Sequence, residues 1–394
     1  MRIADWVRGS LFLMVGAAVA AAQQPLDLRG YYLHVALAAD SGSFNPRGIT
    51  DVQRARLMLH PVAGPLSLDV AYEHTLSYTS AVGAAGTFGG LGQALGGTEW
   101  LPLQGTLRRS QHLEWRHRAD RLSLRYAARH FEVTAGRQPV SWATTLFLTP
   151  ADPFAPFDPS EPFREYRTGV DALRLRAFPG PFAELDAVLR PADTPVGKTV
   201  TGALRAKMAV GHWELAGWGG VVHDDPAASV ALTVTVAGAV LRGEGVVRRS
   251  GGLTVRRLAV GADRSFTVWH RTLYVVAEYQ RDGFGAARPA DLIRVVFSAP
   301  AIRSELQTLG RDVAVAQLRY QLHPLLSAAF LTLWNVNDGS ALAAPALGLS
   351  LAGNLTARAG LFAGRGPALL PGGAPGSEYG TVPTAAYLSL TAFF

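Results

Sequence analysis

Eight basic side chains, Arg54, Arg56, Arg174, Arg176, Arg205, Lys207, Arg319 and Arg358, sit between apolar or uncharged neighbours in segments that alternate in polarity. Guanidinium groups stay charged at any working pH and can fork two hydrogen bonds to a carboxylate or sulfate, so a set of this kind is suited to holding anions. Signals for catalysis are weak. Gly197-Lys198-Thr199 ends like a phosphate-binding loop, but the first glycine of that motif would fall at Ala192 and no strand-loop-helix context surrounds it. Gly83, Gly86, Gly89 and Gly90 lie in a stretch that opens no helix, which argues against a dinucleotide site. His112 and His117, five apart in an expected strand, would point to opposite faces and share no metal. His223, Asp224 and Asp225 offer too few oxygens for a hard cation. There is no Gly-x-Ser-x-Gly elbow and no triad spacing. The expectation is a protein that is not an enzyme, with no catalytic residue, metal, cofactor or nucleic-acid partner.

Strands would position the basic set. Leu204, Ala206 and Met208 oppose Arg205 and Lys207, and Ala314, Ala316, Leu318 and Tyr320 oppose Gln317, Arg319 and Gln321. Ala183, Leu185, Ala187 and Leu189 oppose Glu184, Asp186 and Arg190, while Ala55, Leu57 and Leu59 oppose Arg54, Arg56 and His60. A charge facing lipid at mid-bilayer costs about 2 to 4 kcal/mol, so the charged faces are expected to line an aqueous lumen and the apolar faces to meet lipid. Arg256 and Arg257 fall on opposite faces, which places one of them near a headgroup boundary. Strands of soluble sandwiches run about 5 to 6 residues, whereas several segments here alternate for ten or more.

Both ends of the chain support export to a membrane. Between Thr384 and Phe394 the residues Ala386, Leu388, Leu390, Ala392 and Phe394 share one face, and Tyr387, Ser389, Thr391 and Phe393 the other. A terminal aromatic closing such a strand resembles the assembly signal of Gram-negative outer-membrane barrels, which makes Phe394 a candidate for recognition by the barrel-assembly machinery. At the start, Arg2 and Arg8 precede an apolar stretch from Leu11 to Ala22, with Ala20-Ala21-Ala22 before Gln23. Residues 1–22 therefore read as a cleavable signal peptide and 23–394 as one barrel. Composition agrees: 0 Cys excludes disulfides and thiolate metal sites, and 17% charged residues with 42 Gly suit neither disorder nor a helical bundle. The net charge is +7, and only Lys198 and Lys207 of the 37 basic residues are lysine.

Links between segments alternate in length. Short ones are expected at Pro61 to Pro65, Ala127 to His130, Phe178 to Pro181, Gly211, Gly238, Ala262 to Arg264, His323-Pro324 and Ala352 to Asn354. Longer ones are expected at Asp40 to Thr50, Ser80 to Gly105, Ala143 to Tyr166, Pro191 to Thr199, His223 to Ala227, Ser250 to Gly252, Asp282 to Gly310, Val336 to Ala341 and Gly364 to Tyr379. This predicts an all-β, transmembrane, up-and-down antiparallel β-barrel of about 18 strands, with 16 as the alternative and both termini periplasmic. The segment from Thr106 to Tyr126 is long for one strand.

The most distinctive stretch is Gly136-Arg137-Gln138-Pro139-Val140-Ser141-Trp142, continuing through Leu148-Thr149-Pro150-Ala151-Asp152-Pro153-Phe154-Ala155-Pro156-Phe157-Asp158-Pro159. Prolines at 150, 153, 156, 159 and 162 cannot sit in a central ladder, because each lacks the N–H that pairing uses. A stiff link over 143–166 is expected, folding into the lumen through Phe147, Phe154 and Phe157, with Asp152, Asp158, Glu161 and Glu165 opposite lumenal arginines. With Gly169-Val170-Asp171-Ala172-Leu173-Arg174, this stretch resembles a group of proteobacterial and acidobacterial outer-membrane proteins, and more distantly the alginate-export type of porin. The motif covers some forty residues, and Ala143 stands where the group often has glycine. The resemblance implies a monomeric 18-stranded channel. The combined expectation is a passive outer-membrane channel for small or polymeric anionic solutes, in contact with outer-membrane lipid and lipopolysaccharide, and a monomer rather than a trimer. The alternative is a plugged barrel acting as a surface platform.

Overall fold

Segments with one wet and one apolar face satisfy their backbone groups only by pairing edge to edge, and in lipid only by closing the sheet. In the computed structural model, residues 27–44, 46–80, 99–154, 163 and 165–394 are described, so the expected leader at 1–22 lies outside them. The strands are β1 (Arg29–Ala39), β2 (Gly48–Leu59), β3 (Val62–Ala63), β4 (Leu66–Thr79), β5 (Gln104–Arg109), β6 (Leu113–Ala127) and β7 (Phe131–Gln138). After a long link come β8 (Val170–Gly180), β9 (Ala183–Thr194), β10 (Gly197–Val210), β11 (Trp213–Val222), β12 (Asp225–Val236), β13 (Ala239–Ser250), β14 (Leu253–Val268) and β15 (Arg271–Asp282). A second long link leads to β16 (Asp312–His323), β17 (Leu326–Asn335), β18 (Ala341–Ala352), β19 (Leu355–Arg365) and β20 (Ala385–Phe393).

All pairings are antiparallel, and β20 returns to β1 with Tyr31 opposite Phe393 and Ala39 opposite Ala385. Of the twenty strands in the sheet, β3 pairs only with β4 and β5 only with β6; the other eighteen close the ring. The last residue completes the seam: Gly30 N donates to Phe394 O at 2.8 Å and Phe394 N to Gly30 O at 3.1 Å. A side chain at Gly30 would strike the Phe394 ring and the Arg56 carbonyl, so the seam needs glycine there.

Several links differ from the sequence reading. The turn expected at Ala262 to Arg264 is mid-strand in β14; Asp263 faces inward, pairs with Arg242 and accepts the Tyr274 hydroxyl at 3.0 Å, and the chain turns instead at Trp269-His270. The longer links expected around 191–199, 223–227 and 250–252 are tight hairpins. His223-Asp224 and Gly251-Gly252 have positive φ, the backbone twist that a two-residue hairpin requires. Thr106 to Tyr126 is not one strand, because β5 turns back onto the upper part of β6 and His112 lies in that turn with Nδ1 2.8 Å from Thr79 O. In the link 283–311 the described helices are short, Leu292–Val296 and Ala299–Ile302, and no described helix is long and apolar enough to cross a membrane.

One inner wall departs from the expected polar pattern. Tyr31, Leu33, Val35 and Leu37 of β1 are buried inward and form a core with Val313, Val315, Leu333, Leu342, Phe362 and Tyr387, packed against Leu148 and Phe163. An apolar inner surface is stable here because the proline-bearing segment covers it and keeps water away.

Candidate functional site

The interior site begins at a β-bulge. Ala71 pairs with Arg121 and Tyr72 with Ala119, so Asp120 is the extra residue, and Arg118, Asp120 and Arg121 are all buried inward. A bulge re-aims side chains in this way, at the expense of one rung of the ladder. Around Asp120 gather Arg56 at 2.7 Å, Arg118 at 2.5 Å and Arg121 at 3.1 Å, and Arg54 and Arg56 reach Glu73 at 3.5 and 3.4 Å. Arg137, 0% exposed, grips Asp171 at 2.8 Å through Nε and Nη2 and meets Glu99 at 2.9 Å. Burial pushes the Glu99 carboxyl up despite those arginines.

The two halves of the distinctive motif are thereby one physical unit. Gly136 has φ 112° and a Cβ there would lie 2.3 Å from Leu122 O; one at Gly169 would lie 2.2 Å from Asp120 O. These close approaches let Arg137 reach Asp171 and let Gly169 N donate to Asp120 at 3.2 Å. Gln138 donates to Thr134 O and Ala172 O, Ser141 donates to Asp152 at 2.6 Å, and Trp142 Nε1 donates to Asp186 at 2.7 Å.

Beyond Trp142 the segment lies against inward-facing side chains of many strands. Glu244 of β13 accepts the amides of Thr144, Thr145 and Ala151 at 2.8, 3.3 and 2.9 Å. Glu278 of β15 accepts those of Leu146, Phe147 and Leu148 at 2.5, 2.8 and 2.9 Å. Arg190, Arg257 and Trp218 donate to the carbonyls of Phe154, Pro150 and Ala151 at 2.7, 3.1 and 2.9 Å, and Arg54 to that of Phe163 at 3.4 Å. Phe154 packs edge-on against Trp142 at 4.8 Å, and Phe163 against Tyr387 at 4.8 Å. The second long link meets the first: Gln307 accepts from Thr149 N and donates to Phe147 O. Glu378 then holds Leu309 N and Gly310 N at 2.7 and 2.9 Å, its carboxyl pushed up to about 6 by burial.

Of the eight basic residues singled out in the sequence, Arg54 and Arg56 are buried in the Asp120 cluster. Arg174 meets Asp186 at 2.6 Å and Arg176 meets Glu132 at 2.6 Å. Both line a chamber of about 190 Å³ with His60, Asp69, Arg125 and Glu132. Arg205 lies across from Asp186 in the ladder, Lys207 meets Glu214 at 2.8 Å, Arg358 meets Glu165 at 3.3 Å, and Arg319 is exposed near the short-link end of β16. In the segment, Phe147 is half-buried on the apolar core and Phe154 is buried. Asp152, expected opposite a wall arginine, instead turns back on its own segment, to Ser141 and to Arg167 at 3.3 Å, and its burial raises the carboxyl above the usual range. Phe157, Asp158 and Glu161 lie outside the described residues.

A second small space, about 30 Å³, lies between the two long links and is lined by Asp152, His223, Arg248, Arg257, Arg303 and Glu305. His223 accepts or donates at Thr199 Oγ1, 2.7 Å away, and burial with Arg190, Arg303 and Arg248 nearby holds its imidazole down to about 3. Among the described residues no group of three His, Asp or Glu could hold a metal.

Sequence reasoning missed Glu73, Glu99, Asp120, Glu244, Glu278 and Gln307. Glu278 did leave a trace, being the lone acid at the centre of an otherwise uncharged stretch.

No family model and no curated protein matches this chain. Its structure, however, is similar to that of several outer-membrane proteins. OpdK from Pseudomonas aeruginosa has a TM-score of 0.56 at 12% identity, covering 93% of this chain and 98% of that one. OccAB1 from Acinetobacter baumannii gives 0.56 at 11%, covering 95% and 98%. OccK2 (OpdF) from Pseudomonas aeruginosa gives 0.56 at 13%, covering 95% and 99%. The architecture is that of an outer-membrane porin barrel. At such identity the likeness is one of fold, and it lends no particular weight to the alginate-export type over other porins.

Proposed function

We propose that this barrel is an outer-membrane channel for small organic anions, narrowed where the segment 139–169 crosses its interior. The observation that carries the reading is the tethering of that segment. One stretch of backbone is held by Glu244 and Glu278 on one side and by Arg190, Arg257 and Arg54 on others, leaving the chamber beside Arg174 and Arg176 at the short-link end. A crossing segment leaves room for compact solutes rather than for a thick polymer, and unpaired donor capacity on forked guanidinium groups favours carboxylates. OpdK, similar in fold with a TM-score of 0.54 in this state, has been solved with vanillate, an aromatic carboxylate. In this reading the short-link end and both termini face the periplasm, as in barrels with short periplasmic turns.

The purified protein in a planar bilayer tests this. A salt gradient should give a reversal potential on the anion side, and millimolar benzoate should reduce the chloride current. A cation-side potential would refute anion preference. Absence of conductance would favour the second reading, a plugged platform, which the number of tethers on the crossing segment also supports.

A further inference from the structure

Around most of the ring the mid-strand outer surface is apolar: Leu173, Leu189, Leu204, Val230, Leu258 and Leu347 are all exposed there. The outer wall of β1, β2, β4 and β6 is different. His34, sixth of the eleven residues of β1, alternates with the inward-buried Leu33 and Val35 and so points outward, with Nε2 2.5 Å from Asp51 Oδ2. Gln53, sixth of twelve in β2, donates to Asp51 Oδ1 at 3.2 Å and accepts the Tyr32 hydroxyl at 3.1 Å. On the next two strands Trp115 Nε1 donates to His74 Nδ1 at 3.2 Å, and the Tyr72 hydroxyl lies 2.9 Å from His117 Nδ1. His74 and His117 are direct ladder partners, and His74 lies diagonal to Gln53 across β2 and β4, where Ala55 and Leu76 are the direct partners, so the two groups are neighbours on one outer face. The His34 and Asp51 side chains keep 41% and 30% of their surface exposed.

We infer that this patch is the contact face between two copies of the chain in the membrane. Acyl chains offer such groups no hydrogen bond, and polar groups at this depth are costly unless something polar covers them. An anionic headgroup is a poor occupant of the patch centre, because Tyr32, His34, Asp51, Gln53, Tyr72 and His74 include no Arg or Lys, and Arg108, the exposed ladder partner of Trp115, lies only at its edge. A second copy fits: with the internal bonds made, the patch still presents both donors, on Gln53 and the imidazoles, and acceptors, on Asp51. A surface carrying both is self-complementary about a two-fold axis, the commonest symmetry of homo-oligomers. Pairing through it would replace the monomer expected from the sequence.

The chain has 0 Cys, so single cysteines report proximity on a clean background. Ala36→Cys, outward beside Asp51 in the ladder, should give a chain-to-chain cross-link with a short bis-maleimide in intact outer membranes. The yield should be several-fold above that of Leu258→Cys on the far side of the ring, and it should fall to that background when His34→Leu and Asp51→Leu are added. Ala38→Cys replaces the first probe if that variant lacks the heat-shifted gel band of a folded barrel. Equal yields from folded variants at the two sites, or a cross-link from β1 to a different protein, would overturn the inference.

Discussion

Two regions of the inner wall solve the problem of buried charge differently. From β2 to β8, Arg54, Arg56, Arg118, Arg121 and Arg137 share Glu73, Glu99, Asp120 and Asp171, so charge is matched by charge. On β13 and β15, Glu244 and Glu278 are matched by backbone amides of a segment far away in sequence. A charge-paired wall is fixed once the barrel closes, because both partners belong to the sheet and its links. An amide-paired wall is complete only when the crossing segment is in place, so the same rule of satisfied polar groups makes one wall rigid and the other a docking site.

The contrast is broken most severely by removing one partner from the rigid side. Arg137→Leu leaves Asp171 and Glu99 as buried charges with a lost partner and should cost about 3 to 5 kcal/mol. The heat-shifted gel band should then weaken in mild denaturant; unchanged denaturant resistance would show that the cluster tolerates loss of its most buried member. On the docking side, Glu278→Ala frees the amides of Leu146, Phe147 and Leu148 and should loosen the segment by about 3 kcal/mol while the barrel stays folded. Hydrogen exchange at those amides should quicken, with the amides of β8 to β10 unaffected. Joint loosening of both regions would contradict the separation of the walls.

A smaller effect is expected from Arg174→Glu with Arg176→Glu, which line the open chamber rather than the sealed cluster. Reversal potentials should move towards cations, most strongly at low salt, where the screening length rises to about 30 Å at 0.01 M from about 10 Å at 0.1 M. The same pair of changes should also lower denaturant resistance, because Arg174 holds the buried Asp186 at 2.6 Å. The smallest effect concerns Glu378. Its folded carboxyl titrates at about 6, above its ordinary 4.5, because burial penalises the carboxylate more than the amides of Leu309 and Gly310 favour it, so the stability this group contributes is fully present below 4.5 and is lost as pH rises through 6. The change should stay at or below about 2 kcal/mol, since one pKa unit corresponds to about 1.4 kcal/mol. Denaturant resistance should fall slightly between pH 5 and 7.5, and that fall should be smaller in Glu378→Gln.

Where a strand alternates without interruption, its place in the ring is readable from sequence alone, as in β9, β10 and β20. Small residues mislead: Ala262-Asp263-Arg264 reads as a turn, yet the chain runs straight because Asp263 has Arg242 and Tyr274 as inward partners. The Asp120 cluster was hidden by the bulge, which shifts the alternation by one residue between Arg118 and Arg121. The apolar inner face of β1 was hidden because its cover, Leu148 and Phe163, comes from more than a hundred residues away. By contrast Gly136-Arg137 and Gly169-Val170-Asp171 stood out in the sequence, and the structure supplies the reason, since each glycine admits a backbone that a side chain would block.

The measurement that bears most directly on the central claim is single-channel conductance with the segment 143–166 replaced by a short glycine-serine link. The folded variant should keep the heat-shifted gel band and conduct severalfold more than the parent protein, with weaker preference between anions and cations. An unchanged conductance in a folded variant would contradict it, and the narrowest point would then have to lie elsewhere, with the link 283–311 the first place to look.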